Sequence, residues 1–479
     1  GDGPDSLPLN KVRSITVANA LRTDWTEIVE PTEHLYVLGN PPFLGHATRV
    51  EQQAQELRDA WHRNDIGRLD YVTGWYAKSL ELFQRAGYAG QFAFVSTNSV
   101  TQGEPVPALF GPIFANGWRI GFAHRTFAWT SEAPKAAAVH CVIVGFDKMP
   151  KTRARIFAYS DPHGSATELA VSEGINGYLV DGPNLLVEQR RKPLSPDLPL
   201  VAMGSMPRDG GNLIIDAECY DEVAADPVAA KYLRRFVMGK ELIHDIPRWC
   251  LWLVDLDPAD IARSPVLKRR IDAVRAFRAA STAASTRDMA NTPHLFGQRS
   301  QPSAPYVAIP SVFGETRRWA TCALLSAEVI AGNKIYKCDD PDGLAFAIFS
   351  SSAFILWQKT IGGRLESRLN FGNTTTWNTF PLSQLTDEQR VAIIAGGQAV
   401  LDARAQHPGR SLAEQYNPLA MDPALLKAHA ALDKAVDAVF GLKGNVTEAE
   451  RLAALFASYQ RLTTEGQLPL PAPKKQRKK

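Results

Sequence analysis

Between Val12 and Phe146 short apolar runs alternate with stretches whose apolar residues recur at helical spacing, the pattern of an α/β sheet. SITVANAL and HLYVLG read as strands, RVEQQAQELRDAWHR as a polar helix, and LDYVTGWYAKSLELFQRAG as an amphipathic helix closed by Gly87. GQFAFVSTN predicts another strand, followed by a helix near Pro107–Ala115. GWRIGFAHRTFAW and AAAVHCVIVGF, joined by TSEAPK, predict an antiparallel pair at a sheet edge. Past Asp147 the pattern changes. To about residue 382 the chain is rich in Gly, Pro and short strand-like runs such as LPLVAMG, NLIID and APYVAIP, interrupted by the basic helical segment PVLKRRIDAVRAFRAA. From Thr386 to Thr464 it turns helical. These shifts divide the chain into an α/β domain (1–150), an α+β domain (151–384), a helical region (385–465) and a basic, disordered tail (466–479).

Composition is that of a soluble globular protein: 45% hydrophobic and 22% charged residues over 479, enough for about three domains. No run approaches the roughly 18 apolar residues of a membrane span, so no membrane partner is expected and a cytoplasmic location is. Gly1 in place of Met, without a secretory pattern behind it, reads as an internal start and the chain as a fragment. Five scattered cysteines, with no C-x-x-C pair, predict reduced and at least partly buried thiols and no metal site. A net charge of +3 is too small to name a nucleic-acid partner, so the placement of charge matters more.

The sharpest chemical feature is Gly39-Asn40-Pro41-Pro42-Phe43 directly after the apolar run HLYVLG. An exocyclic amine on a base is a poor nucleophile while its lone pair is delocalised into the ring. The Asn40 side-chain carbonyl and the Pro41 backbone carbonyl can accept its two hydrogens and localise that pair, two prolines stiffen the loop, and Phe43 offers a face for an extruded base. The alternative is a Pro-rich turn ending a strand. Two other clusters carry possible DNA chemistry. Lys268, Arg269, Arg270, Arg275 and Arg278 share one helical segment and could contact phosphates, or form a solvated basic face. Arg364, Glu366 and Arg368 alternate after Gly362-Gly363, which places them on one face of an extended segment. There they could read guanine and cytosine edges or form an internal ion-pair row.

The loop resembles the fourth motif of the amino-methyltransferase superfamily, (D/N/S)PP(Y/F/W), and the resemblance extends further. Asn19-Ala20-Leu21 followed by Asp24-Trp25 resembles the third motif, which implies a contact to the adenine of S-adenosylmethionine, although many members carry Asp where this chain has Asn19. Asp70 to Phe83 resembles the fifth, flanking the donor, with Tyr71 and Trp75 as donor contacts or core residues. GQFAFVSTNSV resembles the sixth and HRTFAWTSEAPKAAAVHCVIVGF the eighth, which implies that Trp129 or Phe127 stacks on a flipped base, unless it packs at a strand edge. More specifically, nearly the whole chain resembles the MmeI-like family of combined restriction and modification enzymes, through RWCLWL, LNFGNTTTWNTFPL and AEQYNPLAMDPALLKAHAALDKAVDAVFG among others. The resemblance implies a partial Rossmann-like class I methyltransferase sheet, an α+β target-recognition domain and a small helical C-terminal region. It also implies base-reading residues just before Asn373-Thr374, with Asn373 at the DNA, and double-stranded DNA as the partner.

The family's glycine-rich donor motif, F-x-G-x-G, and its acidic second motif are not found ahead of Ser14, and AGG, DGG and IGGR do not sit between a strand and a helix as a permuted copy would. The resemblance therefore implies a site-specific adenine-N6 DNA methyltransferase whose donor pocket is half built. A separately encoded N-terminal half or nuclease region is a possible partner. Two alternatives stay open. One is a DNA-specificity module without catalysis of its own. The other is a protein-glutamine methyltransferase, which shares the Asn-Pro-Pro-aromatic loop but leaves the long second domain unexplained.

Overall fold

A computed structural model describes residues 15–30, 32, 34–87, 90–129, 139–161, 164–365 and 367–465. The basic tail, the TSEAPK connection and Glu366 lie outside the described residues. The chain divides into two units, with the division after Glu188.

The first unit is built on a six-stranded sheet of β1 (Tyr36–Gly39), β2 (Gln91–Thr97), β3 (Arg119–Trp129), β4 (Val139–Asp147), β5 (Arg155–Tyr159) and β6 (Ala166–Leu169). Their order across the sheet is β1-β2-β4-β3-β5-β6. β1 runs parallel to β2 and β3 parallel to β5, while the other neighbours are antiparallel. Helices α1 (Glu51–Trp61), α2 (Thr73–Ala86) and α3 (Pro105–Ala115) accompany it. α2 stops because Gly87 adopts φ 70°, a left-handed cap that costs glycine least. α3 begins on Pro105, whose missing N–H is one that a first helical turn leaves unused anyway. Phe92, Ala93 and Phe94 are all buried, so β2 is covered on both faces. Phe92 stacks on Phe146 at 4.7 Å and Phe94 lies 5.0 Å from Tyr76 between ring centres, which fixes the sheet to α2.

Three expectations are corrected here. SITVANAL contains no strand among the described residues. The Asn19 side-chain Oδ1 accepts from the Leu21 N–H at 3.0 Å and its carbonyl from Arg22 and Thr23, so the local asparagine turn wins over strand pairing. The β3–β4 pair is interior rather than marginal, because β2 covers one side and β5 the other. And the sheet continues past residue 150 through β5 and β6, whose hydrogen bonds tie residues 155–169 to the first unit.

In the second unit, two four-stranded sheets and a three-stranded one are packed with helices. The basic segment forms the helix Pro265–Ala279. Leu267, Ile271 and Val274 on that helix pack with Leu213, Ile215 and Phe236. The helices Asp387–Ala405, Pro423–Val439 and Glu448–Glu465 follow as the pattern predicts. The AGG run lies inside the first of these, where a Cβ on Gly397 would stand 2.7 Å from the Ala347 Cβ, so these glycines permit close packing. Cys141, Cys250, Cys322 and Cys338 are buried free thiols, whereas Cys219 is exposed. Among the described residues no helix is long and apolar enough to cross a membrane.

Candidate active site and nucleic-acid interface

β1 ends at Gly39, which pairs with Phe94 of the parallel β2, so Asn40 leaves the sheet at the carboxyl ends of parallel strands, where open α/β sheets bind ligands. Pro41 is buried, Phe43 half-buried, and Asn40 and Pro42 exposed. The loop is held at its far end. Asp70, 5% exposed, accepts from the Leu44 N–H at 3.0 Å and the Val72 N–H at 3.1 Å through Oδ1, and from the Thr97 hydroxyl at 3.2 Å through Oδ2. The Tyr71 N–H donates to the Leu44 carbonyl at 3.0 Å. One carboxylate thereby joins the Asn40 loop, the start of α2 and the end of β2. The Asn40 carboxamide makes no hydrogen bond to any described residue, so its oxygen is available to a ligand.

Asn19, Ala20 and Leu21, the segment matched to donor binding, are drawn into a second network centred on Glu56 of α1. Glu56, 4% exposed, accepts from Asn19 Nδ2 at 3.0 Å, Arg22 Nε at 3.0 Å and the Tyr71 hydroxyl at 2.5 Å. Burial works to raise the Glu56 pKa, but the hydrogen bonds from Tyr71, Asn19 and Gln52 and the Arg22 charge outweigh it and hold the carboxyl below its ordinary value. The same burial and the same carboxylate push the Tyr71 phenol up, so it stays a donor. Leu21 is 5% exposed, against Gly74 of α2, where a Cβ would approach its methyls to 2.8 Å. The Ala20 carbonyl accepts the Trp25 indole N–H at 2.9 Å. Much of the hydrogen-bonding capacity of this segment thus goes to holding it against α1 and α2.

The register Thr97–Cys141–Phe127 places the end of β3 at the same end of the sheet as Asn40. Two register shifts in β3, at Ile120/Phe122 and His124/Phe127, re-aim its last residues. Trp129 is 41% exposed and lies 6.2 Å from Phe127, which leans on Tyr159 at 5.4 Å. β1 and β3 are three strand spacings apart, roughly 14 Å. Trp129 and Phe43 therefore share an edge of the sheet without being neighbours on it.

In the second unit, Gly363–Leu365 and Arg368–Asn370 form a hairpin, with Arg364 opposite Leu369 and Leu365 opposite Arg368. Residues directly opposite in such a pair share a face. Arg364 therefore lies on the inner face with buried Leu369, and Arg368 on the outer face with exposed Leu365. The expectation of one extended row is corrected, because Leu365 pairs with Arg368 across the hairpin and the two arginines fall on opposite faces. Arg364 donates to the Ser367 carbonyl at 3.1 Å and stands 3.7 Å from Glu315. Asn373 is likewise turned inward: its amide donates to the Val201 carbonyl at 2.6 Å, while Asn378 donates to the Arg190 carbonyl and Trp377 to the Pro199 carbonyl. The Asn-Thr-x-x-x-Asn-x-Phe-Pro stretch acts as a clamp on residues 190–201.

The basic helix is also largely committed. Arg269 pairs with Glu222 at 2.5 Å, Arg275 with Asp272 at 2.7 Å, and Arg270 donates to the Asn212 carbonyl at 2.9 Å. Arg278 is fully buried and donates to five backbone carbonyls, which removes it from any role at phosphates. The residue is there to satisfy the loops 207–208 and 289–295. Lys268 is exposed and has no partner among the described residues.

Family models of three MmeI domains match the chain in succession: the DNA-methyltransferase domain over residues 2–158, the target recognition domain over 181–384 and the C-terminal domain over 385–466. The chain belongs to the MmeI-like family. It is 34% identical over 466 residues to DNA methyltransferase A of Bacillus subtilis (strain 168), covering 96% of this chain and 51% of that protein. It superposes on a solved structure of the type IIL restriction–modification enzyme MmeI in complex with DNA with TM-score 0.87 and 39% identity, covering 96% of this chain and 61% of that one. The chain therefore spans about half the length of the curated relative it matches.

Three residues of this MmeI-like site escape a reading of the sequence. Glu56 carries a signal, since a carboxylate spaced four residues from Ala60 shares its helix face with a buried position. Thr97 carries none beyond its place at a strand end. Arg49, between the loop and α1, has buried Nε and Nη1 atoms with no partner among the described residues, and burial lowers its pKa while Asp70 opposes that shift.

Proposed function

We propose that the chain is the catalytic and DNA-reading part of a site-specific adenine-N6 DNA methyltransferase from a restriction–modification system, acting on an adenine flipped out of duplex DNA. The observation that carries this reading is the Asn40-Pro41-Pro42-Phe43 loop, set at the carboxyl end of a parallel strand, clamped by Asp70, and presenting an unengaged carboxamide. Asn40 Oδ1 and the Pro41 carbonyl accept the N6 hydrogens and turn the nitrogen lone pair out of conjugation. Phe43 provides an apolar face for the base, with Trp129 further along the same edge. When bound, S-adenosylmethionine would supply the methyl group: its sulfur–methyl bond breaks as the N6–carbon bond forms, the sulfur leaves as the neutral thioether S-adenosylhomocysteine, and N6 loses one proton to solvent.

The residues that would meet this donor, Asn19, Ala20, Leu21 and Asp70, form one wall of a site and spend most of their hydrogen-bonding groups on each other and on α1 and α2. Alone they do not make a donor pocket. We therefore assign the remainder to a segment carrying the glycine-rich motif, fused or separate, and refer to the two together as the completed enzyme. β1 supports this assignment, being an edge strand among the described residues with Tyr36 and Leu38 exposed. The committed state of the donor segment also favours a second reading, a specificity module without its own catalysis. A glutamine methyltransferase leaves the target-recognition domain without a task. A cytoplasmic location follows from DNA as the substrate.

Sequence readout is assigned to Arg368, on the outer face of the hairpin, together with Glu366, two positions before it in the chain. In the completed enzyme, exchanging this pair for charges of opposite order is expected to change the preferred base at one position of the methylated site, since a good bidentate contact discriminates by about 1–3 kcal/mol. Sequencing of the methylated sites checks it. An unchanged motif with reduced activity would make the pair structural.

A further inference from the structure

The commitment of the basic helix leaves open where the second unit meets DNA phosphates, and a cavity of about 540 Å³ beside the hairpin offers an answer. Lys240, Arg248, Arg317, Lys334 and Arg368 line it, against one carboxylate, Glu241. Arg248 is neutralised by Asp216 at 2.7 Å and Glu241 at 3.1 Å, and Arg317 donates to the Tyr416 carbonyl at 3.0 Å. Lys240 and Lys334 differ from these: both are exposed, and neither has a hydrogen bond or ion pair among the described residues. Their segments are neighbours, since a Cβ on Gly239 would lie 3.8 Å from the Lys334 carbonyl. Thr321, 1% exposed, lines the same cavity, and its buried hydroxyl also lacks a partner among the described residues. The pairing of Phe313 with Leu369 brings the strand that carries Arg368 to the wall formed by residues 310–314.

Two uncompensated ammonium groups over a cavity with a buried, unsatisfied hydroxyl suit an anion that can also accept a hydrogen bond. The geometry points to a seat for a phosphodiester of the DNA backbone, gripped by Lys240 and Lys334 next to the base-reading hairpin. The inference rests on the reading of the chain as a DNA binder and deepens it. The volume admits a phosphate with its flanking sugar, and such a grip fixes register without carrying sequence information. It is set beside the grip that the sequence pattern assigns to Lys268, Arg269, Arg270, Arg275 and Arg278, of which only Lys268 is exposed without a partner among the described residues.

Fluorescence anisotropy of the full 479-residue chain with labelled duplexes, over a range of salt concentrations, tests it with Lys240→Ala/Lys334→Ala and with Arg275→Ala as the comparison. Both lysines are exposed and unpaired, so their removal leaves the fold intact. The double variant is expected to bind all duplexes roughly tenfold more weakly at moderate salt, with the slope of log K against log salt reduced by about 1 for each phosphate that is no longer neutralised. Arg275→Ala is expected to change neither. Undiminished affinity and slope in the double variant, with the unaltered chain binding well, would overturn the phosphate seat and leave the DNA reading in place. So would a weakening confined to one sequence, which marks a base reader. Calorimetric binding of inorganic phosphate that depends on the two lysines, without any change in DNA affinity, would reassign the cavity to a free phosphate compound. Failure of the unaltered chain to bind any duplex would overturn the DNA reading and the seat with it.

Discussion

Asn40→Ala is expected to slow methyl transfer by the completed enzyme about 100- to 1,000-fold while DNA binding survives. The side chain is exposed and bonded to no described residue, so its removal disturbs neither the Asp70 clamp nor the burial of Pro41. What disappears is an acceptor aimed at hydrogens that become more acidic as N6 begins to bond to the methyl carbon. Interactions of that kind act mainly in the transition state, and removing one preorganised group typically costs about 100- to 1,000-fold in rate, or about 2.7–4 kcal/mol. The effect should fall on kcat, with duplex affinity unchanged, because the phosphate and base contacts proposed for the second unit do not involve this loop. Asn40→Asp should restore part of the rate, since the carboxylate keeps an acceptor in place. Single-turnover transfer measured beside duplex binding separates the two effects. Retained transfer by Asn40→Ala would remove the residue from the chemistry.

Arg278→Met carries the largest expected effect on stability. The guanidinium is fully buried and donates to the carbonyls of Pro207, Arg208, Met289, Thr292 and Leu295 at 2.7–3.0 Å. Methionine fills part of the volume but satisfies none of these acceptors. Two loops must then either bury unpaired carbonyls or open to water. Hydrogen bonds to a charged group contribute about 1.5–3 kcal/mol each, and since the loops relax, a net destabilisation of about 4 kcal/mol is expected rather than the sum. Urea unfolding of the chain should show a clear fall in midpoint, and an unchanged midpoint would contradict the account. Arg278→Lys should recover little, because three donors on one nitrogen cannot replace a planar fork that reaches carbonyls on two separate loops.

The contrast between these two residues marks how far the sequence can be read. Asn40 is legible because it sits in a short, rigid, local motif, and local motifs survive in one dimension. The helices α1, α2 and α3 are legible through their periodicity, and Gly87 through its position. Arg278 is not, because the partners that fix it lie 11 to 71 positions away and are backbone atoms, which leave no trace in residue type. Alternation places Arg364 and Arg368 together only while the segment stays straight. The pairing of Arg364 with Leu369 and of Leu365 with Arg368 puts the two arginines on opposite faces instead. The position of β3 and β4 inside the sheet follows from β5 and β6, short strands beyond a composition change that reads as a domain boundary. The Asn19 segment shows the same limit from the other side. The motif is recognisable, yet its pairing with Glu56 depends on which face α1 turns inward.

Whether the Asn40 loop directs methylation to adenine N6 within a defined duplex site is tested most directly by mapping modified bases in DNA from cells that express the completed enzyme, alongside Asn40→Ala. N6-methyladenine is expected at one recurring sequence and strongly depleted in the Asn40→Ala cells. Methylation of cytosine, or an unmodified genome despite a folded, donor-binding enzyme, would contradict that expectation.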